Sequence, residues 1–427
     1  MSITNAMWDG VSGLSAEGQA LGVVGDNVAN SNTIGFKQSR ALFEDILGGA
    51  VGQNIGGGVR MARAQQIFGQ GSLQNTGGAT DLALTGDGFF VVKGSVNGVV
   101  GDFYTRAGQM QMDKDGFMTN PDGLRMQGYA AGPNGTFSAS LSDIQIPSTP
   151  LPPKATTTFN VTANLDATAT VPAAPFNAQN AAATSNFSTS TTVYDSLGNP
   201  HAVNVYFAKT AAGSWDYHAL VDGADVTGGT PGQKVEIATG TLTFSSTGAL
   251  QSNTLTAGGT ANFVGAAPGQ AIKLNLGTPT GSGGTGLDGI TQFGSPSNVS
   301  QQSQDGYGSG SLTGVSVDGS GIVNGVYSNG QKIPVAQIAV AKFESTDGLA
   351  RSGQNLWSAT TASGNAADGA AGAGGRASVV AGALEQSNVD IATEFVEMIA
   401  HQRSFQANSK TITTADEMLQ DVVNLKR

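Results

Sequence analysis

The C-terminal stretch Asn388 to Arg427 restricts this chain more than any other. It contains no proline and no glycine, and apolar residues return in 4-3 spacing at Ile391, Phe395, Met398, Phe405, Ile412, Leu419 and Val423. That spacing predicts a long α-helix with one narrow apolar stripe. Asn388 or Asp390 suits the N-cap, because a short oxygen side chain accepts from the free N–H groups of the first turn. Lys426 and Arg427 fall where the helix dipole favours positive charge. Gln402, Ser409 and Asp416 fall on the same seam at heptad positions. A helix with so interrupted a seam needs a partner.

The first thirty residues offer one. Met7, Val11, Leu14, Gly18, Leu21, Gly25 and Val28 repeat the spacing. The segment also carries Gly10, Gly13 and Gly22, and each of its five glycines costs a helix roughly 1 kcal/mol against alanine. Alone, this helix is mostly unfolded; against a close neighbour, glycines on the seam let the backbones approach. Both ends are therefore expected to order on assembly. The expected polymerisation interface is Met7, Val11, Leu14, Leu21 and Val28 with the seven apolar positions of the C-terminal stripe. The simpler alternative is a stalk private to one molecule.

Composition narrows the rest. Of 427 residues, 62 are glycine and only 12% are charged, which favours many short strands and turns over a helical globule. Net charge is −11 with no basic cluster, which argues against nucleic acid. Cysteine is absent, excluding disulfides and thiolate metal sites. There is no apolar run of membrane-spanning length. Asp9 and Glu17 precede the first cation, Lys37, so the charged start of a cleavable secretory signal is missing, and export is expected to use another route.

Along the chain, Asn27 to Lys37 closes the first helix with asparagines and a glycine. Residues 38–75 read as an extended connector containing the glycine-rich GGAVGQNIGGG. From 76 to 147 strands alternate with turns at Gly86-Asp87-Gly88 and Asp113-Lys114-Asp115-Gly116. Prolines 147, 150, 152 and 153 mark a boundary. Period-two strands follow: Val203, Val205, Phe207, then Trp215, Tyr217, Ala219, Val221. From 300 to 382 β character resumes, and a Gly- and Ala-rich loop at 364–375 precedes the last helix. The expected fold is mostly β within an α+β class: paired terminal helices in a coiled-coil-like inner domain (1–75 with 383–427), a β domain from both halves (76–147 with 300–382), and an inserted outer antiparallel β domain (148–299).

Catalytic and metal motifs are wanting. His201 and His218, facing each other across a hairpin with Asp195 or Asp216, would make a metal site, but solvated polar residues are the plainer reading. His401 reads as exposed or as an inter-helix hydrogen-bond partner. The Asp113 turn lacks the later ligands of a calcium loop. No Gly-Lys-Ser/Thr follows Gly56-Gly57-Gly58, and no Gly-x-Ser-x-Gly elbow occurs. A structural protein without catalysis, cofactor or metal is expected, against a secreted β-rich adhesin or hydrolase oligomerised by its helices.

NVANSNTIGFK, from Asn27 to Lys37 with Asn30, Thr33, Gly35 and Phe36, resembles the signature of the flagellar rod, hook and hook-associated axial proteins. DLALTGDGFFVV (81–92) and YTRAGQMQMDKDGFMTNPDG (104–123) are similar to motifs shared by rod and hook proteins, and residues 384–427 are similar to the hook branch of the family. The resemblance covers about 1–147 and 300–427, and the distal rod protein is the near alternative. It implies a helical tubular polymer outside the cell, in the hook at the flagellar basal body, acting as a universal joint. It also implies terminal helices around an export channel, type III export, and contacts with distal rod, hook cap and hook–filament junction proteins.

Overall fold

A computed structural model describes residues 3–47, 56–132 and 135–424. The chain divides into two compact units. The first comprises Met1–Ser148, Thr313–Val326 and Lys332–Arg427; the second comprises Thr149–Leu312 and Tyr327–Gln331.

In the first unit, helix α1 spans Ile3–Ala29 and helix α2 spans Ile391–Asn424. Asp390 is the cap of α2, its Oδ1 accepting from the N–H groups of Ala392 and Thr393 at 2.9 and 3.3 Å. Lys426 and Arg427 lie outside the described residues. The expected extended connector is instead a hairpin of β1 (Ser39–Leu47) and β2 (Gly56–Gln66), antiparallel with Ser39 opposite Gln66. Strand pairing satisfies backbone groups that an extended chain would leave to water. Most of the glycine-rich run lies outside the described residues.

The body of this unit is a 12-stranded sheet whose main path runs Leu312–Val317, Ile322–Tyr327, Lys332–Lys342, Arg125–Ala131, Phe89–Val96, Val99–Thr105, Leu356–Ser358 and Ala350–Gly353. Lys332–Lys342 pairs antiparallel with both Arg125–Ala131 and Phe89–Val96, so the sheet is woven from both halves of the chain. Phe89, Tyr104, Phe343 and Trp357 form an aromatic core, with Tyr104 edge-on to Phe343 at 4.7 Å. The Gly- and Ala-rich loop contains a short strand, Ala367–Ala370, paired to the same central strand.

The second unit has a five-stranded antiparallel sheet in sequential order: Phe187–Tyr194, Pro200–Ala211, Ser214–Asp222, Lys234–Phe244 and Leu250–Gly258. The period-two residues Val203, Val205, Phe207, Trp215, Tyr217, Ala219 and Val221 are all buried in its core. The second sheet departs from the antiparallel expectation. Thr158–Asp166 pairs parallel with Lys273–Asn275 and Ile290–Phe293, and antiparallel with Asn298–Gln304. The whole five-stranded sheet intervenes between the parallel partners, a connection long enough to bring them in side by side in the same direction. Leu151 accepts and donates across a bridge to Gly310, so the chain enters and leaves this unit side by side.

Candidate assembly surface and the joint at its base

α1 and α2 run antiparallel. A Cβ at Gly10 would meet Ile412, a Cβ at Gly13 would meet Asn408, Glu17 bonds His401 and Asn27 bonds Glu394. The face α1 buries is Gly10, Gly13, Ala16, Ala20, Val24 and Asn27, helical in spacing but built largely of small residues. The expected stripe flanks it: Met7, Leu14, Leu21 and Val28 are half-buried and Val11 is exposed. Gly10 and Gly13 do admit the neighbouring helix, whereas Gly22 and Gly25 have open space beside them.

On α2 the inner stripe is Glu394, Met398, His401, Phe405, Asn408, Ile412, Ala415 and Leu419. Met398, Phe405, Ile412 and Leu419 thus face inward as expected. Gln402, Ser409 and Asp416 are exposed and do not lie on the seam; His401, Asn408 and Ala415, one residue earlier, take those places. Residues three and four away from each large apolar position flank it on opposite sides, and the packing of α1 selects the earlier set. Ile391, Phe395 and Val423 stay exposed, together with Val396 (67%), Ile399 and, on α1, Trp8 (65%).

The signature residues form a buried polar joint where the helices meet the body. Asn27 exchanges two hydrogen bonds with Ser39, donating to its carbonyl at 2.7 Å and accepting from its N–H at 2.8 Å, and also donates to Glu394 at 3.0 Å. Asn30 donates to Asp26, and Thr33 donates to Asn30, closing the turn. Gly35 adopts φ +69°, and a Cβ there would lie 2.5 Å from the backbone nitrogen of Ala107, so no other residue fits. Phe36 is buried, with the Arg351 guanidinium 5.6 Å from its ring centre. The fully buried Lys37 ammonium lies 2.5 Å from Glu385, which also takes Arg106 at 3.2 Å and the N–H of Gly71. Asn388 accepts from the N–H of Gln38 and donates to the carbonyl of Ile67.

Charge is costly here. Burial pulls the Lys37 ammonium below the usual lysine range, and the Glu385 carboxylate opposes that pull. Burial pushes the Glu394 carboxyl up, against the lowering effect of the Asn27 amide. Glu385, Arg106, Glu394 and Asn388 were not singled out as joint residues by sequence pattern. Glu385 shows only as an acid in an apolar run, Ala383-Leu384-Glu385.

The three histidines are each held by local acidic partners. His201 lies against Asp195 and Asp225 at 3.3 and 3.5 Å, while His218 lies 2.5 Å from Glu236 and opposite Tyr206 in the ladder. The two histidines therefore do not face each other. His401 is the inter-helix partner, 2.6 Å from Glu17. The Asp113 and Asp195 segments are turns in which each carboxylate accepts from following backbone N–H groups. No cluster of three potential metal ligands and no membrane-length apolar helix occurs among the described residues.

Four family models match in succession: "Flagella basal body rod protein" over residues 10–37, "Flagellar hook protein FlgE/F/G D1 domain" over 83–166, "Flagellar basal body protein FlaE D2 domain" over 164–307, and "Flagellar basal body rod FlgEFG protein C-terminal" over 380–425. The third covers the inserted region that carried no recognisable motif. The flagellar hook proteins FlgE of Salmonella typhimurium and Escherichia coli K12 are each 38% identical over 420 residues, covering 97% of this chain and 98% of theirs. That of Borreliella burgdorferi is 34% identical over 458 residues, covering 99% of both. Near-complete coverage at this identity, on a mostly β chain closed by paired terminal helices, settles the family: the chain belongs to the flagellar hook proteins FlgE and is a structural subunit of the bacterial flagellar hook.

Proposed function

We propose that this subunit builds a helical tube outside the cell, with α1–α2 pairs lining an inner channel and the β units outside. The tube acts as a universal joint that passes torque from rod to filament. One observation carries this reading. The inner stripes of α1 and α2 satisfy each other within the chain, yet α2 keeps Ile391, Phe395, Val396 and Ile399 exposed. An exposed apolar run of that kind on a helix is an assembly surface. Copies joined head to tail through unlike surfaces propagate as an open helix. Distal rod, hook cap and hook–filament junction proteins are the expected neighbours at the tube's ends, and type III export the expected route. The low-charge, small-residue exterior suits weak contacts that shift as the tube bends.

The test compares the full-length protein with a form lacking residues 1–30 and 388–427, using negative-stain microscopy and far-UV circular dichroism. Tubes from the full-length protein alone are expected. Tubes from both, or a soluble monomer from both at high concentration, would overturn the reading.

A further inference from the structure

His201 is 8% exposed and sits in a corner of the second unit where three loops meet. Its ring stacks on Phe263, with centres 4.1 Å apart and planes within 10°. Nε2 lies 3.3 Å from Oδ2 of the fully buried Asp195, and Nδ1 lies 3.5 Å from Oδ1 of Asp225 without a hydrogen bond. Asp195 belongs to the turn before Pro200–Ala211, Asp225 to the loop after Ser214–Asp222, and Phe263 to the segment after Leu250–Gly258.

These loops brace the strands by which the chain enters and leaves the unit. Gly198 lies at φ +83°, and a Cβ there would meet Pro153 at 2.7 Å and Gly308 at 3.1 Å. Gln270 donates to the carbonyls of Thr156 and Tyr194, and Ala267 donates to the Ser196 hydroxyl. Thr227 donates to the carbonyl of Asn262 and Val264 to that of Asp225, which ties the Asp225 loop to the Phe263 segment.

The two charge states of the imidazole differ in what they do to Asp225. A neutral ring that donates from Nε2 to Asp195 turns the Nδ1 lone pair on a carboxylate. A charged ring carries a proton on both nitrogens and answers both acids. Burial pushes the Asp195 carboxyl up, but bonds from Asn199, His201 and the N–H of Leu197 outweigh it and hold the group below the ordinary carboxylate value. Asp195 is therefore a fixed, charged anchor. Asp222, in the same loop as Asp225, is answered by Lys234 at 3.3 Å, and Phe263 brings no charge.

We propose that His201 is a proton-operated lock on this corner. Charged, it draws the Asp225 loop onto the Asp195 turn and stiffens the brace at the unit's entry and exit. Neutral, it releases Asp225 and keeps only the Asp195 bond. Histidine is the side chain that changes charge between pH 5 and 8, so the brace is tight in acid and loosens as pH rises through that range. The lock lies within one chain and does not depend on the self-assembly reading.

Hydrogen exchange of the full-length protein at about pH 5.5 and 7.5, corrected for the intrinsic pH dependence of exchange, reads the lock directly. Peptides carrying the amides of Leu197, Asn199, Thr227 and Val264 should exchange about tenfold more slowly at the lower pH. His201→Gln and Asp225→Asn should each abolish that difference. Asp225 is 34% exposed, so its variant keeps both His201 and the fold. His218→Gln should leave the difference unchanged. Equal corrected exchange at the two pH values in the unmodified protein would overturn the proposal. So would a difference that survives Asp225→Asn, or one that His218→Gln removes.

Discussion

Glu385 is the residue on which the joint turns. It faces Lys37 and Arg106, both buried, and accepts from Gly71. Glu385→Gln would leave two buried cations without a counter-charge, and breaking a buried pair this way costs about 3–5 kcal/mol. Urea unfolding should show that loss, with near-UV dichroism confirming that a folded state remains. Glu394 makes a different prediction. Burial raises its carboxyl above the ordinary 4.5, so the folded state holds a proton that the unfolded state releases. Stability is then lost as pH rises from about 4.5 through the raised folded value. Glu394→Gln keeps an acceptor for Asn27 and removes the titration. Its urea midpoint should fall less between pH 4.5 and 7 than that of the unmodified protein; equal slopes would refute this. The sequence pointed to Asn27, Asn30, Gly35 and Lys37 through a motif, but not to the acids that answer them. A buried carboxylate is written as a single letter with no periodicity, and its partners lie 279 to 367 residues away.

The helices show what periodicity reads well and what it misses. The existence, position and stripe of α2 were legible because Met398, Phe405, Ile412 and Leu419 recur every seven residues. The second row of the seam was not. Phe395 and Glu394 flank Met398 equally, and a count of apolar residues chooses phenylalanine. The structure chooses Glu394 because Asn27 binds it, and it seats His401 against Glu17. On α1 the inner face is small, so a count of large apolar residues finds its flanks instead. Here the glycines divide into two classes. Gly22→Ala and Gly25→Ala add a methyl with nothing within 4 Å, and each should raise helix stability by about 1 kcal/mol. Gly13→Leu drives a side chain into Asn408, where a Cβ alone would lie 2.6 Å from the amide nitrogen. It should part the helices, seen as lost helicity and faster proteolysis of both termini. Thermal melts of the three variants followed at 222 nm provide the comparison; equal behaviour would refute the division.

At the scale of the molecule, the side-by-side entry and exit at Leu151 and Gly310 make the second unit an insertion. Replacing residues 152–309 with a two-residue turn should leave the first unit folded, with its terminal helices and one cooperative urea transition. Loss of both would show that the first unit depends on the insertion. Two strands of the five-stranded sheet of this unit, Pro200–Ala211 and Ser214–Asp222, were legible from local alternation. The parallel pairing of Thr158–Asp166 was not, because register between distant segments leaves no mark in either one. The same distance gives the bond between Asn27 and Glu394 a meaning beyond stability. Its partners are separated by 367 positions, so joining them closes a loop whose entropy cost is about 5 kcal/mol. A chain delivered one end first holds only half of this joint until its last forty residues arrive. Formation of the joint thus reports that the start of α2 has arrived, and a subunit cut short of Glu394 never completes it.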